Sequence, residues 1–163
     1  METFILNHNV YKGILNVNFY MSNPKLGKSS KGKDMHYSIG ALIKKDNKYL
    51  LIDRNVLPYG FACPAGHVDG EETPEKAIRR EVNEETGLIV ESLKLTISGE
   101  LDGNWCSKGI TTHYWYIFEC KVSGNLNRDE RETKSVGWYS REEIKKLKLE
   151  PSWGYWFEKL RII

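Results

Sequence analysis

Cysteine is scarce in this chain, and the three present (Cys63, Cys106 and Cys120) are scattered without a C-x-x-C pair. Such a set argues against a zinc ribbon and a disulfide framework, and a reducing cytoplasm is the expected compartment. Long apolar runs are missing as well. No stretch approaches the roughly 18 residues a membrane span needs, so no membrane partner is expected. The first residues, METFILNHNVYKGIL, lack a basic start leading into an apolar core because Asn7, His8, Asn9 and Lys12 interrupt it. No secretory signal is expected. Nor is there a large charge excess. Lys+Arg 24 against Asp+Glu 22 leaves +2, far from the basic surplus of a duplex-binding domain. The imbalance is local: residues 1–35 hold five lysines against Glu2 and Asp34, a surplus of +3, so residues 36–163 sum to −1. A solvated surface segment explains this best; contact with nucleic acid stays open but is not expected.

What is present fits one globular domain with a small appendage: 163 residues, 40% hydrophobic and 28% charged. Trp 5, Tyr 9 and Phe 5 argue against disorder. Residues 1–35 read as an N-terminal extension. Within it Leu15–Phe19 alternates like a strand, and NPKLGKSSKGKD (23–34) reads as a flexible basic connector. The domain proper then spans 36–163. Its pattern predicts strands at Ile39–Ile43 and Tyr49–Ile52 around a polar turn. Further strands are expected at Leu93–Ser98, Thr112–Val122 and Val136–Tyr139. Thr73 as cap, Pro74 at the first position and Gly87 as left-handed stop mark a helix between them. Ser140 with Glu143 forms a capping box for a helix to Leu147, and Trp153, Trp156, Phe157 and Leu160 suit a last amphipathic helix. Strands and helices mix without regular βαβ alternation, which predicts an α+β fold with α/β/α layers.

The informative stretch is GHVDGEETPEKAIRREVNEETGL (66–88). Glu81, Glu84 and Glu85 stand at i, i+3 and i+4 and share one helix face. Three carboxylates there repel one another, and the macrodipole disfavours them near the C-terminal end. A hard divalent cation would turn that repulsion into coordination. An acidic, solvent-facing helix with Arg79 and Arg80 as partners would show the same three glutamates, with Ala77, Ile78 and Val82 buried either way. The surrounding pattern separates the two readings. Gly66, Glu72, Arg80, Glu81, Val82, Glu84, Glu85, Gly87 and Leu88 match G-x5-E-x7-R-E-U-x-E-E-x-G-U, where U is bulky and apolar. The chance of such a match in this chain is on the order of 10⁻⁷ at average residue usage.

This is the Nudix box, and the chain resembles the Nudix hydrolase family from about residue 36 to its C-terminus. The resemblance implies an α/β/α sandwich around a mixed sheet. It also implies hydrolysis of a nucleoside diphosphate linked to another moiety, with Mg²⁺ (Mn²⁺ as a substitute). Carried over, Glu81, Glu84 and Glu85 are the metal ligands, joined by the Gly66 carbonyl, while Arg80 and Glu72 pin the loop to the helix. Glu84 or Glu85 is expected to take the proton of the attacking water, or a glutamate outside the box does so. Glu132 is the first candidate for that outside carboxylate, ahead of Glu130 and Glu100. Where the family often reads Pro-Gly-Gly, this chain has Pro64-Ala65-Gly66.

Arg54, at the end of the second strand, is expected to meet phosphate or base. Tyr59 and Phe61 are candidates for base stacking, with core packing the alternative for Phe61. Trp105 is an expected exposed recognition residue, and His67 either reaches phosphate or closes the loop. Trp115, Tyr116, Trp138, Trp153 and Trp156 are assigned to packing. A proline or tyrosine at the spacings of ADP-ribose and dinucleoside-polyphosphate relatives is missing, as is the coenzyme-A pattern. By elimination the substrate is a nucleoside triphosphate or similar small nucleotide. A nucleotide sugar, an RNA 5′ end and a non-catalytic nucleotide sensor are the alternatives. The detached strand at Leu15–Phe19 also suggests a homodimer, which a monomeric mass in solution would contradict.

Overall fold

A computed structural model describes residues 23–163, so the expected strand at Leu15–Phe19 lies outside the described residues. The two apolar runs expected near residues 39 and 49 become long strands, β2 (Asp34–Lys45) and β3 (Lys48–Arg54). They are joined through Asp46 and Asn47, both at positive φ (49° and 60°). That is the mirror-image turn whose twist suits a hairpin. The stretch expected to be a flexible connector is instead ordered. Leu26–Lys28 forms β1, antiparallel to the start of β2, and Pro24 bridges to Asp69. Its lysines did not prevent pairing because carboxylates meet them: Lys28 with Asp34 at 2.6 Å and Lys33 with Asp102 at 2.8 Å.

Two short strands that the sequence pattern does not reveal follow, β4 (Phe61–Ala62) and β5 (Ala65–His67). Next come helix α1 (Pro74–Thr86) and the long strands β6 (Ile89–Asp102) and β7 (Thr112–Ser123). The chain ends with β8 (Thr133–Tyr139), α2 (Arg141–Ile144) and α3 (Pro151–Lys159). The helix α2 has the expected capping box at Ser140 and Glu143 but stops before Leu147. Its last turn tightens, with Lys146 and Leu147 donating to the carbonyls three residues back.

The main sheet order is β4-β3-β2-β7-β6, with β1 and β5 also paired to β2 and β8 to β3. Among the described strands β2 and β7 pair in parallel and the other pairs are antiparallel, so the sheet is mixed. Strand alternation sends Ile39, Ala41, Ile43 and Phe118 to one face, where they pack on Ala77, Ile78 and Val82 of α1. Leu42, Trp115 and Ile117 face the other side and meet Ile144, Trp153, Trp156 and Phe157. The result is the α/β/α sandwich expected, with α1 on one face and α2 and α3 on the other. Among the described residues no helix is long and apolar enough to cross a membrane.

Candidate active site

Helix α1 starts where Thr73 accepts a hydrogen bond from the Lys76 amide and stops at Gly87, whose φ of 71° sends the chain out of the helix. Burial of Ala77, Ile78 and Val82 fixes its rotation. That rotation turns Glu81 and Glu85 inward against β5 and leaves Glu84 outward. Glu85 accepts a hydrogen bond from the Ala65 amide at 2.9 Å and is buried. Glu81 lies directly over Gly66: a Cβ there would stand 2.0 Å from Glu81 Oε1. Only a glycine lets the carboxylate approach the strand this closely.

Arg80 binds the site together. It donates to both Glu72 oxygens (3.1 and 2.9 Å). Its other contacts are Glu81 (2.7 Å), Glu84 (3.3 Å) and the His67 carbonyl (3.0 Å). Asp69 stands further off at 3.8 Å. One guanidinium thus ties the loop before α1 to two of the three clustered glutamates. The fork geometry of arginine suits this bidentate hold on Glu72.

Electrostatics follow from burial. Removal from water raises the Glu81 carboxyl to about 7 despite Arg80, with Glu84 and Glu132 adding to the rise. Burial, then Glu81, pushes Glu85 well above the ordinary carboxylate range; Arg54 and the Ala65 amide oppose this. Glu72 goes the other way: burial raises it, but the hydrogen bonds from Arg80 and the Asp69 amide outweigh burial, and it ends below its usual value. Burial also works against a charged Arg80, yet its carboxylate partners hold it firmly protonated. Asp69 is raised by burial, and its Oδ1 is buried with no hydrogen bond among the described residues. Carboxyls gathered on one helix face, two of them raised by burial and by repulsion from neighbouring carboxylates, make a donor set that suits a hard divalent cation, whose charge would offset both effects. Glu81, Glu84, Glu85 and the backbone of Gly66 are the residues that would hold it.

The residues expected to surround this cluster divide into two groups. Arg54 donates to the Pro58 carbonyl at 2.9 Å, and its charge is felt at both Glu85 and His67. Glu132 is exposed, and its charge reaches Glu81 and Glu85. Tyr59 is half exposed with Lys134 over its ring, and Trp105 is exposed in the loop after β6. Phe61 packs edge-on against Tyr139 at the rim of the α3-side core. His67 turns away from the carboxylates, its Nε2 standing 3.4 Å from His113 Nε2. Burial, then its histidine and cationic neighbours, lowers its pKa to about 3. The weaker outside candidates are engaged elsewhere: Glu100 accepts from the Ser30 amide and hydroxyl, and Glu130 pairs with Arg128. Lys108 was not singled out by sequence, yet its charge bears on Asp69, His36 and His67. Only its place in the loop with Trp105 hinted at this.

The model of the NUDIX domain matches residues 34–160. A MutT-like protein of Streptomyces ambofaciens is 32% identical over 125 residues, which is 77% of this chain and 75% of that protein. An ADP-ribose pyrophosphatase of Methanocaldococcus jannaschii is 50% identical over 54 residues, a match covering 32% of each chain. Among solved structures, a MutT NUDIX hydrolase from Burkholderia pseudomallei superimposes with a TM-score of 0.61 at 25% identity, covering 68% of this chain and 87% of that one.

Proposed function

Because the chain belongs to the NUDIX family and is a hydrolase of pyrophosphate bonds in nucleotide derivatives, we propose that its substrate is a nucleoside triphosphate or a similar small nucleotide and that Mg²⁺ is its metal. The observation that carries the metal part of this reading is the grip of Arg80 on Glu72, Glu81 and Glu84, with Glu81 lodged over Gly66; the substrate part rests on the motifs of other subfamilies that the sequence lacks. When bound at Glu81, Glu84, Glu85 and the Gly66 carbonyl, Mg²⁺ would neutralise phosphate oxygens and acidify an attached water.

The protein's own groups do the rest. Arg80 keeps the cluster in place before any ligand arrives, so little reorganisation is needed when substrate binds. Glu84 has 58% of its side chain exposed, the most open of the three. Being open to solvent, it is the first choice to accept the proton of the attacking water. Glu132, whose charge already acts on this cluster, is the second. Arg54, at the end of β3 with its charge felt at Glu85, is suited to the phosphate, and exposed Tyr59 and Trp105 are suited to stacking on the base. An RNA substrate is disfavoured by the pairing of Lys28 and Lys33 with Asp34 and Asp102, which leaves the basic segment less charge to offer a phosphate chain.

A substrate panel with Mg²⁺ tests both parts. Nucleoside triphosphates, ADP-ribose, nucleotide sugars and triphosphorylated RNA would be scored for wild type and Glu84→Gln. Turnover of a nucleoside triphosphate, with a loss of roughly 10²–10⁴-fold in Glu84→Gln, is expected. Turnover of another class alone would replace the substrate reading and keep the box. No turnover, with a nucleotide raising the melting temperature, would replace hydrolysis by sensing.

A further inference from the structure

Four side chains that the hydrolytic reading does not use converge on the sheet face away from α1. His36 and His113 are directly paired across β2 and β7. His67 sits on β5, opposite Ser38 of β2. Cys106 enters from the loop between β6 and β7. One nitrogen or sulfur atom from each lies within 4.8 Å of all the others.

The spacing is informative. A tetrahedral ion bound at about 2.0–2.1 Å by nitrogen and about 2.3 Å by sulfur needs N–N edges of about 3.4 Å and N–S edges of about 3.6 Å. His67 Nε2 and His113 Nε2 are 3.4 Å apart, and Cys106 Sγ and His36 Nδ1 are 3.7 Å apart. The longest remaining gaps must close by little more than about 1 Å to complete that tetrahedron. As a plain piece of core the cluster is poorly satisfied. The three rings crowd at centroid distances of 5.1, 5.5 and 5.7 Å, and His113 Nδ1 is buried with no hydrogen bond among the described residues. The Asn104 backbone favours the charged His113 ring, the kind of outer contact that a metal-bound imidazole makes. Buried polar atoms are seldom left in this state without a partner.

We infer that His36, His67, Cys106 and His113 form a structural zinc site, distinct from the carboxylate cluster across β5. Three imidazoles and one thiolate are borderline-soft donors, which suit Zn²⁺ and not Mg²⁺. With all four positions taken by protein, the ion has no open place for substrate. It would clamp the loop holding Trp105 to β2 and β7. It would also anchor β5, whose Gly66 lies against the Glu81 carboxylate.

Metal content of the purified full chain, followed by Co²⁺ titration of chelator-stripped and desalted protein, decides the matter. The expected result is about one zinc per chain, with a thiolate-to-cobalt charge-transfer absorption in the ultraviolet. Cys106→Ser should abolish that absorption, and His36→Gln should weaken zinc binding at least about 10-fold. Glu81→Gln should leave both unchanged. The inference is overturned if wild type retains no zinc and gives no charge-transfer band. It is equally overturned if binding survives the Cys106→Ser and His36→Gln changes, or is lost in Glu81→Gln.

Discussion

At Gly66 a methyl group would meet a carboxylate oxygen at 2.0 Å with the β5 backbone behind it. Gly66→Ala should therefore displace Glu81 and cut the hydrolytic rate on the order of 10²-fold, with the far-ultraviolet circular dichroism unchanged. Glu81 itself carries a pH signature. Its folded-state pKa of about 7 lies above its usual 4.5, so the fold prefers the protonated form. The stabilisation is complete below about 4.5 and lost as pH rises through 7. Without a bound ion the buried histidines work in the opposite sense: with His67 at about 3 and His113 at about 4, their contribution is present above 6.5 and lost on acidification. Comparison with Glu81→Gln removes the Glu81 titration together with its repulsion of Glu85. In chelator, wild type should lose up to about 3 kcal/mol relative to the variant between pH 5 and 8, and Mg²⁺ should restore it. Melting curves at the two pH values check this.

At the scale of an element, α1 is the part whose ends matter most. Its stop is Gly87 at φ 71°, where a Cβ would also stand 2.9 Å from the Asn127 side chain. A non-glycine residue in this region costs about 1–2 kcal/mol. Gly87→Ala should lower the urea-unfolding free energy by at least that much, measured at constant m-value. The helix was legible because its cap, its Pro74 and its stop are local chemistry. The hairpin of β1 and β2 was not. Its glycines, serines and lysines read as a connector; local bonds between Ser29 and Lys33 shape its turn, but the contacts that tie it to the sheet, Asp102 for Lys33 and Glu100 for Ser30, are distant in sequence. The strands β4 and β5 are two and three residues long, too short to show a period.

At the scale of the whole molecule, the described residues form two cores separated by the sheet. Trp153 is almost completely buried in the one on the α3 side, edge-on to Trp115 and against Phe157. Trp153→Ala should destabilise the protein by about 3–5 kcal/mol. The carboxylate cluster packs with α1 on the other face, so the rate per folded molecule should stay within a few-fold of wild type. Chemical denaturation and activity at matched folded fraction separate these effects.

Local spacing alone determined the helix, its caps, the shared face of Glu81, Glu84 and Glu85, and the resemblance built on them, because 3.6-residue periodicity and capping act over a few positions. Tertiary structure decided which of those glutamates turn inward, how Arg80 gathers them, and where His67 points. It also decided that His36 and His113, 77 positions apart in the chain, stand side by side in the β2–β7 register. Such neighbours leave no mark in a sequence pattern, because pairing between distant strands is set by the burial of both sheet faces together and not by any local preference of the residues that meet there.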